Sequence, residues 1–229
     1  MMTSLETIIS ELRSCTVCSA HLPLGPRPVF QISTTATLLI ASQAPGTKAH
    51  VSGVPFSDPS GDQLRLWMGV SADEFYDAKR VAIVPMAMCY PGRAQGGGDA
   101  PPRTECAKLW RESLLQQLVN VKLTLLVGTH SPDYVLGPGL MTDRVRNFEQ
   151  YLPRFFPLPH PSWRSRGWVK KNPWFEQCVL PRLREEVALD RATSWRYLQR
   201  KMRSEIAKGK TSQAVNIPSG MTSCPRLIP

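Results

Sequence analysis

Two short segments, far apart in the chain, carry residue types suited to recognising and cleaving a polar ligand. One is Ile40-Ala41-Ser42-Gln43-Ala44-Pro45-Gly46 and the other is Leu158-Pro159-His160-Pro161-Ser162. Each is an apolar, strand-like run that breaks at a Pro-containing turn. In a parallel α/β sheet both turns would lie at the carboxyl ends of strands, where such folds build their sites. The Gln43 amide and the backbone N–H groups around Ala44 and Gly46 could grip a nucleobase or orient a water molecule. His160 could donate to a carbonyl oxygen as that oxygen gains negative charge. His50, in the polar stretch from Thr47 to Ser60, is a further candidate for positioning water.

A second chemistry-bearing set is made of sulfur. Cys15 and Cys18 form a C-x2-C pair within a proline-rich stretch, and Cys89 and Cys106 flank a Gly/Pro segment. Four soft thiolates can hold a zinc ion or a [4Fe–4S] cluster. A stretch with little core of its own gains order from such a clip.

The elements that must position these residues follow from hydrophobic periodicity and from Pro and Gly punctuation. Strands are expected at Thr37–Ser42, within Arg80–Met86, at Leu123–Gly128 and at Phe155–Leu158. Helices are expected at residues 4–13, 61–69, 104–119, 130–136 and 172–189, with Asn172 capping the last. Residues 14–36 read as irregular, Thr47–Ser60 as a polar loop and Tyr90–Pro102 as a Gly/Pro loop. Strands alternating with helices argue for a parallel sheet covered on both faces, a three-layer α/β/α sandwich with four strands.

The 229-residue chain carries a formal charge of +10 and a pI of about 9.6, with 42% hydrophobic and 20% charged residues. That is the composition of a globular protein with a polyanionic partner, nucleic acid first. No apolar run approaches the roughly 18 residues of a membrane span, and the amphipathic N-terminus lacks the apolar core of a signal peptide. An intracellular monomer is therefore expected, cytoplasmic or nucleoid-associated. The character changes at Asp190: residues 190–210 hold seven Lys or Arg against two acids. We read residues 1–189 as one domain and 190–229 as a basic extension, partly disordered.

Five segments in order carry a family resemblance: Cys15-Thr16-Val17-Cys18, Ser42-Gln43-Ala44-Pro45-Gly46, Gly53-Val54-Pro55-Phe56-Ser57-Asp58-Pro59-Ser60-Gly61, Cys89-Tyr90-Pro91-Gly92 leading to Cys106, and His160-Pro161-Ser162. Over roughly residues 10–188 the chain resembles the uracil-DNA glycosylase superfamily, most closely its iron–sulfur branch, often called family 4.

That resemblance implies an α/β/α sandwich and a [4Fe–4S] cluster on Cys15, Cys18, Cys89 and Cys106, with zinc as the alternative. It implies excision of uracil or another damaged or deaminated base from DNA, single-stranded or damaged duplex. The alternative is a nucleic-acid-binding protein of the same fold without that activity. It gives Phe56 the role of stacking on the extruded base, and the loop Ser162-Trp163-Arg164-Ser165-Arg166 the role of entering the minor groove. There Trp163 would wedge and Arg164 and Arg166 would hold phosphates. From the residues alone, Trp163 could equally be a core residue beside Trp168 and Trp174. The sequence departs from the family at four points. Gln43 replaces a Glu, and Ala44 stands where better-known uracil glycosylases have an Asp. Thr47-Lys48-Ala49-His50 replaces an acidic run. Pro85 falls where the family has an Asn that reads the uracil edge, so the divergent site removes a side chain able to pair with uracil.

Overall fold

The computed structural model describes residues 4–189; the basic extension lies outside them. Four strands form one sheet: β1 (Leu38–Ala41), β2 (Val81–Ile83), β3 (Leu123–Val127) and β4 (Phe155–Leu158). The order is β2-β1-β3-β4 and every pairing is parallel. The expected sandwich is the fold.

The strands are buried on both faces because they read as continuous apolar runs rather than alternating ones. Side-chain alternation then sorts them into two cores. Leu38, Ile40, Ile83, Leu125 and Phe156 point into one, shared with Trp67, Phe75, Phe175 and Leu183. The helix Pro59–Met68 and the helical residues 174–189 cover that face. Leu39 and Ala82 point the other way, onto Leu12 of the helix Leu5–Arg13 and onto Leu114. Both sheet edges are blunted. Gln31 pairs with Ile83 along the outer side of β2, and Pro157 withholds a donor in β4, a residue type confined to edge positions.

Several expected boundaries move. The stretch read as a loop from Thr47 to Ser60 folds into the helix Thr47–Ser52, and the next helix starts at Pro59 with Asp58 as its cap. The helix expected over 104–119 ends at Gln116 and contains a π-helical segment, Ala107–Arg111. Asn172 does not cap the final helix with its side chain. Its amide instead donates back to the Trp168 carbonyl at 2.8 Å, closing the helix Arg166–Lys171.

The chain crosses from β1 to β2 on one side and returns to β3 on the other. This reversal opens a crevice at the carboxyl edge of the sheet. Beyond the formal strands the parallel pairing continues: Val84, Met86 and Ala87 donate to the carbonyls of Ile40, Ser42 and Gln43 at 2.8–3.0 Å. Pro85 sits in this ladder where no N–H is required, with its ring at the crevice.

Candidate active site

At that carboxyl edge lies a cavity of about 660 Å³. Its floor is the turn Ser42–Gly46 with Pro85, and its walls come from three loops: Pro55–Ser60, Arg93–Ala100 and His160–Arg164. Gln43, Ala44, Gly46, Phe56, Pro85, His160, Ser162, Trp163 and Arg164 all line it, so most of the residues singled out in the sequence meet in one place.

Local chemistry holds each in position. Gln43 lies against Gly128, the residue after β3: a Cβ there would sit 3.1 Å from the Gln43 amide nitrogen. Gly128 has φ +89, a conformation favourable only to glycine, so the close approach and the backbone both exclude a side chain. Phe56 adopts φ 56, unusual for an aromatic residue. Three contacts impose it. The Tyr76 hydroxyl donates to the Phe56 carbonyl at 3.0 Å, and Arg65 donates to that hydroxyl at 3.1 Å. Gly61 lies so close that a Cβ would overlap the Phe56 carbonyl oxygen. The ring meets Phe75 edge-on at 6.1 Å. On the far wall, Ser165 donates its hydroxyl to the His160 carbonyl at 2.6 Å and its N–H to the Ser162 carbonyl at 3.0 Å, fixing the loop. Burial pushes the His160 pKa below the usual histidine value, with the Asp58 carboxylate pulling the other way. The imidazole is accordingly neutral near pH 7, with one ring nitrogen a donor.

His50 is a correction. The helix Thr47–Ser52 turns it away from the cavity, leaving it 7% exposed beside the Tyr90 ring at 6.1 Å. It is not part of the cavity wall. Polar composition suggested a loop, but the backbone bond from His50 N–H to the Gly46 carbonyl at 2.9 Å makes the stretch helical.

Acidic groups are nevertheless present. Asp58 and Asp99 both line the cavity and converge on Gly46: a Cβ there would lie 3.3 Å from Asp99 Oδ2 and 3.8 Å from Asp58 Oδ2. Asp58 Oδ1 accepts from the Gly61 N–H at 3.0 Å, capping the N-terminus of the helix Pro59–Met68. Its Oδ2 is left facing the cavity. Asp99 comes from a tight loop closed by Arg93–Asp99 pairing, with Ala94 and Ala100 donating to Gly98 and Gly92. Neither residue was singled out for chemistry in the sequence; Asp58 stood only as one position of a longer motif.

The readings of Trp163 are separated. It is 70% exposed with Arg164 5.2 Å above its ring, while the half-buried Trp168 and Trp174 pack together against the core at 5.6 Å. Trp163 is therefore a surface residue at the cavity mouth. Arg164 reaches across to lie on Gly98. Arg166 is exposed and outside the cavity wall.

The turns after β1 and β4 and the aromatic Phe56 thus meet on one cavity at the carboxyl edge of the sheet. A model of the uracil DNA glycosylase superfamily matches residues 29–184, more than half of the chain. The chain belongs to that superfamily. Members of that superfamily are generally DNA glycosylases, hydrolases that act on DNA, and the four-stranded parallel sheet flanked by helices is consistent with its fold. Among the described residues no helix is long and apolar enough to cross a membrane.

Membership of the superfamily does not by itself assign a role to the cysteines, and their own geometry is informative. Cys15, Cys18, Cys89 and Cys106 are free thiols that line one small cavity of about 20 Å³ with Leu12, Leu22 and Ala87. Among the described residues no three ligating side chains are drawn close enough to hold an ion as they stand. Met88 N–H already donates to Cys106 Sγ at 3.3 Å. Burial, against the lowering effect of that Met88 bond and with a smaller push from the neighbouring cysteines, takes the Cys106 thiol up to about 11. Burial raises Cys89 as well. Four sulfur side chains lining one small cavity are the donor type that a thiolate-ligated metal takes.

Proposed function

We propose that this protein is a base-excising DNA glycosylase of the iron–sulfur branch, with a divergent pocket. The observation that carries the reading is the meeting of Gln43, Phe56, Asp58 and His160 on one cavity at the switch point of the sheet. The target nucleotide is extruded, since its glycosidic bond is out of reach inside a stacked strand. Phe56 stacks on the base, and the Gln43 amide bonds its edge. As the C1′–N bond lengthens, positive charge grows on the sugar and negative charge on the base. His160 donates to a base carbonyl oxygen, an interaction that strengthens only as that charge develops. Asp58, with Oδ2 toward the cavity, holds the water that adds to the sugar, the task for which His50 is misplaced. Pro85 contributes shape and no hydrogen bond, so the pocket lacks the side chain that reads uracil in the family.

Trp163 and Arg164 at the mouth would meet DNA, Trp163 as a wedge and Arg164 as a phosphate contact, with Ser162 beside them and Arg166 outside the cavity wall. Cys15, Cys18, Cys89 and Cys106 would hold a [4Fe–4S] cluster, which supplies structural closure and no step of the reaction. It ties the N-terminal loop to the segment that carries Arg93 and Asp99.

The test is incubation with oligonucleotides containing uracil, hypoxanthine, xanthine or a mismatch, followed by alkali. Strand cleavage at a modified base is the expected result. Intact strands from every substrate, at enzyme excess, would reject base excision.

A further inference from the structure

Two carboxyl groups face one point in the cavity, and their surroundings differ. Asp58 Oδ1 accepts from the Gly61 N–H at a helix N-terminus, leaving Oδ2 toward the cavity. Asp99 has no such donor. Asp99 is itself exposed on its loop, with Oδ2 lying over Gly46 on the cavity wall. The groups facing Asp99 are Asp58 from the helix cap, Arg93 from its own loop and Arg164 from the His160 loop. Asp58 in turn faces His160. Paired carboxyl groups in unlike environments divide into an acid and a base.

We propose that Asp99 is a general acid acting on the departing base, and that the preferred substrate is a deaminated purine, hypoxanthine or xanthine. The inference rests on the base-excision reading and deepens it. The Asp99 carboxyl proton passes to a ring nitrogen of the purine as the C1′–N9 bond breaks and its electron pair moves onto the base. Water adds through oxygen to C1′ and gives its proton to the Asp58 carboxylate. Asp58 then returns that proton to solvent or to Asp99, so the net reaction is hydrolysis. Uracil has no basic ring nitrogen to receive a proton and leaves instead as an anion stabilised at its carbonyl oxygens. Purines carry such a nitrogen, so a positioned acid discriminates in their favour. Pro85 agrees, because it removes the side chain that would have held a uracil edge. A cavity of about 660 Å³ has room for the larger ring. Burial, followed by the charge of Asp58, raises the Asp99 pKa above the usual carboxylate value, while Arg93 and Arg164 pull it back. Protonated Asp99 is therefore present at higher pH than for an ordinary carboxyl.

The experiment is single-turnover excision from hypoxanthine- and uracil-containing oligonucleotides as a function of pH, with wild type and Asp99→Asn. The wild-type rate on hypoxanthine should exceed that on uracil and fall as pH rises above the Asp99 pKa. D99N should lose roughly 10²–10⁴-fold on hypoxanthine, the range for a general acid, and lose the alkaline fall attributable to Asp99. The loss on uracil should be smaller than the loss on hypoxanthine, so the ratio of the two rates falls. Asp99 is on an exposed loop, so an unchanged thermal midpoint is expected and checks folding. Hypoxanthine excision by D99N within a few-fold of wild type overturns the assignment. Uracil excision without hypoxanthine excision also overturns it and leaves base excision standing. Inertness on every base overturns both.

Discussion

His160 and Gln43 each lie in a turn directly after a strand, and both line the cavity at the carboxyl edge of the sheet. In a parallel sheet such turns have one destination. Asp58 and Asp99 were not read as chemical groups. They come from two loops and meet only over Gly46, so no spacing in the chain announces them. His50 failed for the opposite reason. It was placed by the polar composition around it, and composition does not reveal that Thr47–Ser52 closes a helical turn. The assignment of His160 makes a kinetic prediction. His160→Asn should lower the single-turnover excision rate by roughly 10²–10³-fold, the loss expected for one donor to a developing oxyanion. Affinity for the same DNA should change far less, since the donor acts mainly in the transition state. A mutant that loses affinity and rate in equal proportion would place His160 in ground-state binding instead.

Among the elements, the four strands were readable as apolar runs ended by Pro or Gly, and their parallel pairing follows from the helices that separate them in the chain. The short helices were less legible. Thr47–Ser52, Ala72–Tyr76 and Met141–Arg146 span little more than one turn each and lack room for a periodic signal. The link between Phe56 and the helix Pro59–Met68 is the element-scale device that the site depends on. Gly61 packs against the Phe56 carbonyl, and Tyr76 bonds the same oxygen. Gly61→Ala must therefore push the Phe56 peptide away or displace the helix. Overpacking of this kind costs typically about 1–3 kcal/mol, which a denaturant titration would read. Base capture should weaken as well, because the ring moves with its backbone. Phe56→Ala separates the two effects. It removes the stacking surface, worth about 1–3 kcal/mol per base, but leaves the helix contact intact. If G61A matches wild type in both stability and capture, the Phe56 conformation is not imposed by that packing.

For the whole molecule, one arrangement was anticipated from the sequence in outline: two sulfur-bearing segments far apart in the chain come together beside the sheet. The segment between Cys89 and Cys106 leaves the thiol cavity, forms the cavity wall at Arg93–Ala100 and returns. Protein prepared without oxygen should be brown, with the broad absorbance of thiolate-ligated iron, and Cys106→Ser should lose colour and thermal stability together. Colourless protein holding one equivalent of zinc would assign the same ligands to the other metal.

Affinity for a polyanion also belongs to the whole molecule, because the positive charge is spread unevenly along the chain. Of the net charge of +10, residues 190–210 contribute Arg191, Arg196, Arg200, Lys201, Arg203, Lys208 and Lys210 against Asp190 and Glu205. These residues lie beyond the described part of the chain, and their charge is what the sequence supplies. Each phosphate neutralised by a lysine or arginine releases condensed counterions. It steepens the dependence of log affinity on log salt by roughly 0.9 for duplex DNA and 0.7 for single strands. Truncation after Leu189 should therefore weaken DNA binding most at low salt. It should also flatten that slope by about one unit for each phosphate that is no longer neutralised. Excision measured on saturating DNA should persist, because every cavity residue lies within the retained part. The slopes of the two proteins, measured on one oligonucleotide across the same salt series, decide the matter. A shared slope would assign the whole electrostatic interaction to residues such as Arg93, Arg164 and Arg166 around the cavity mouth.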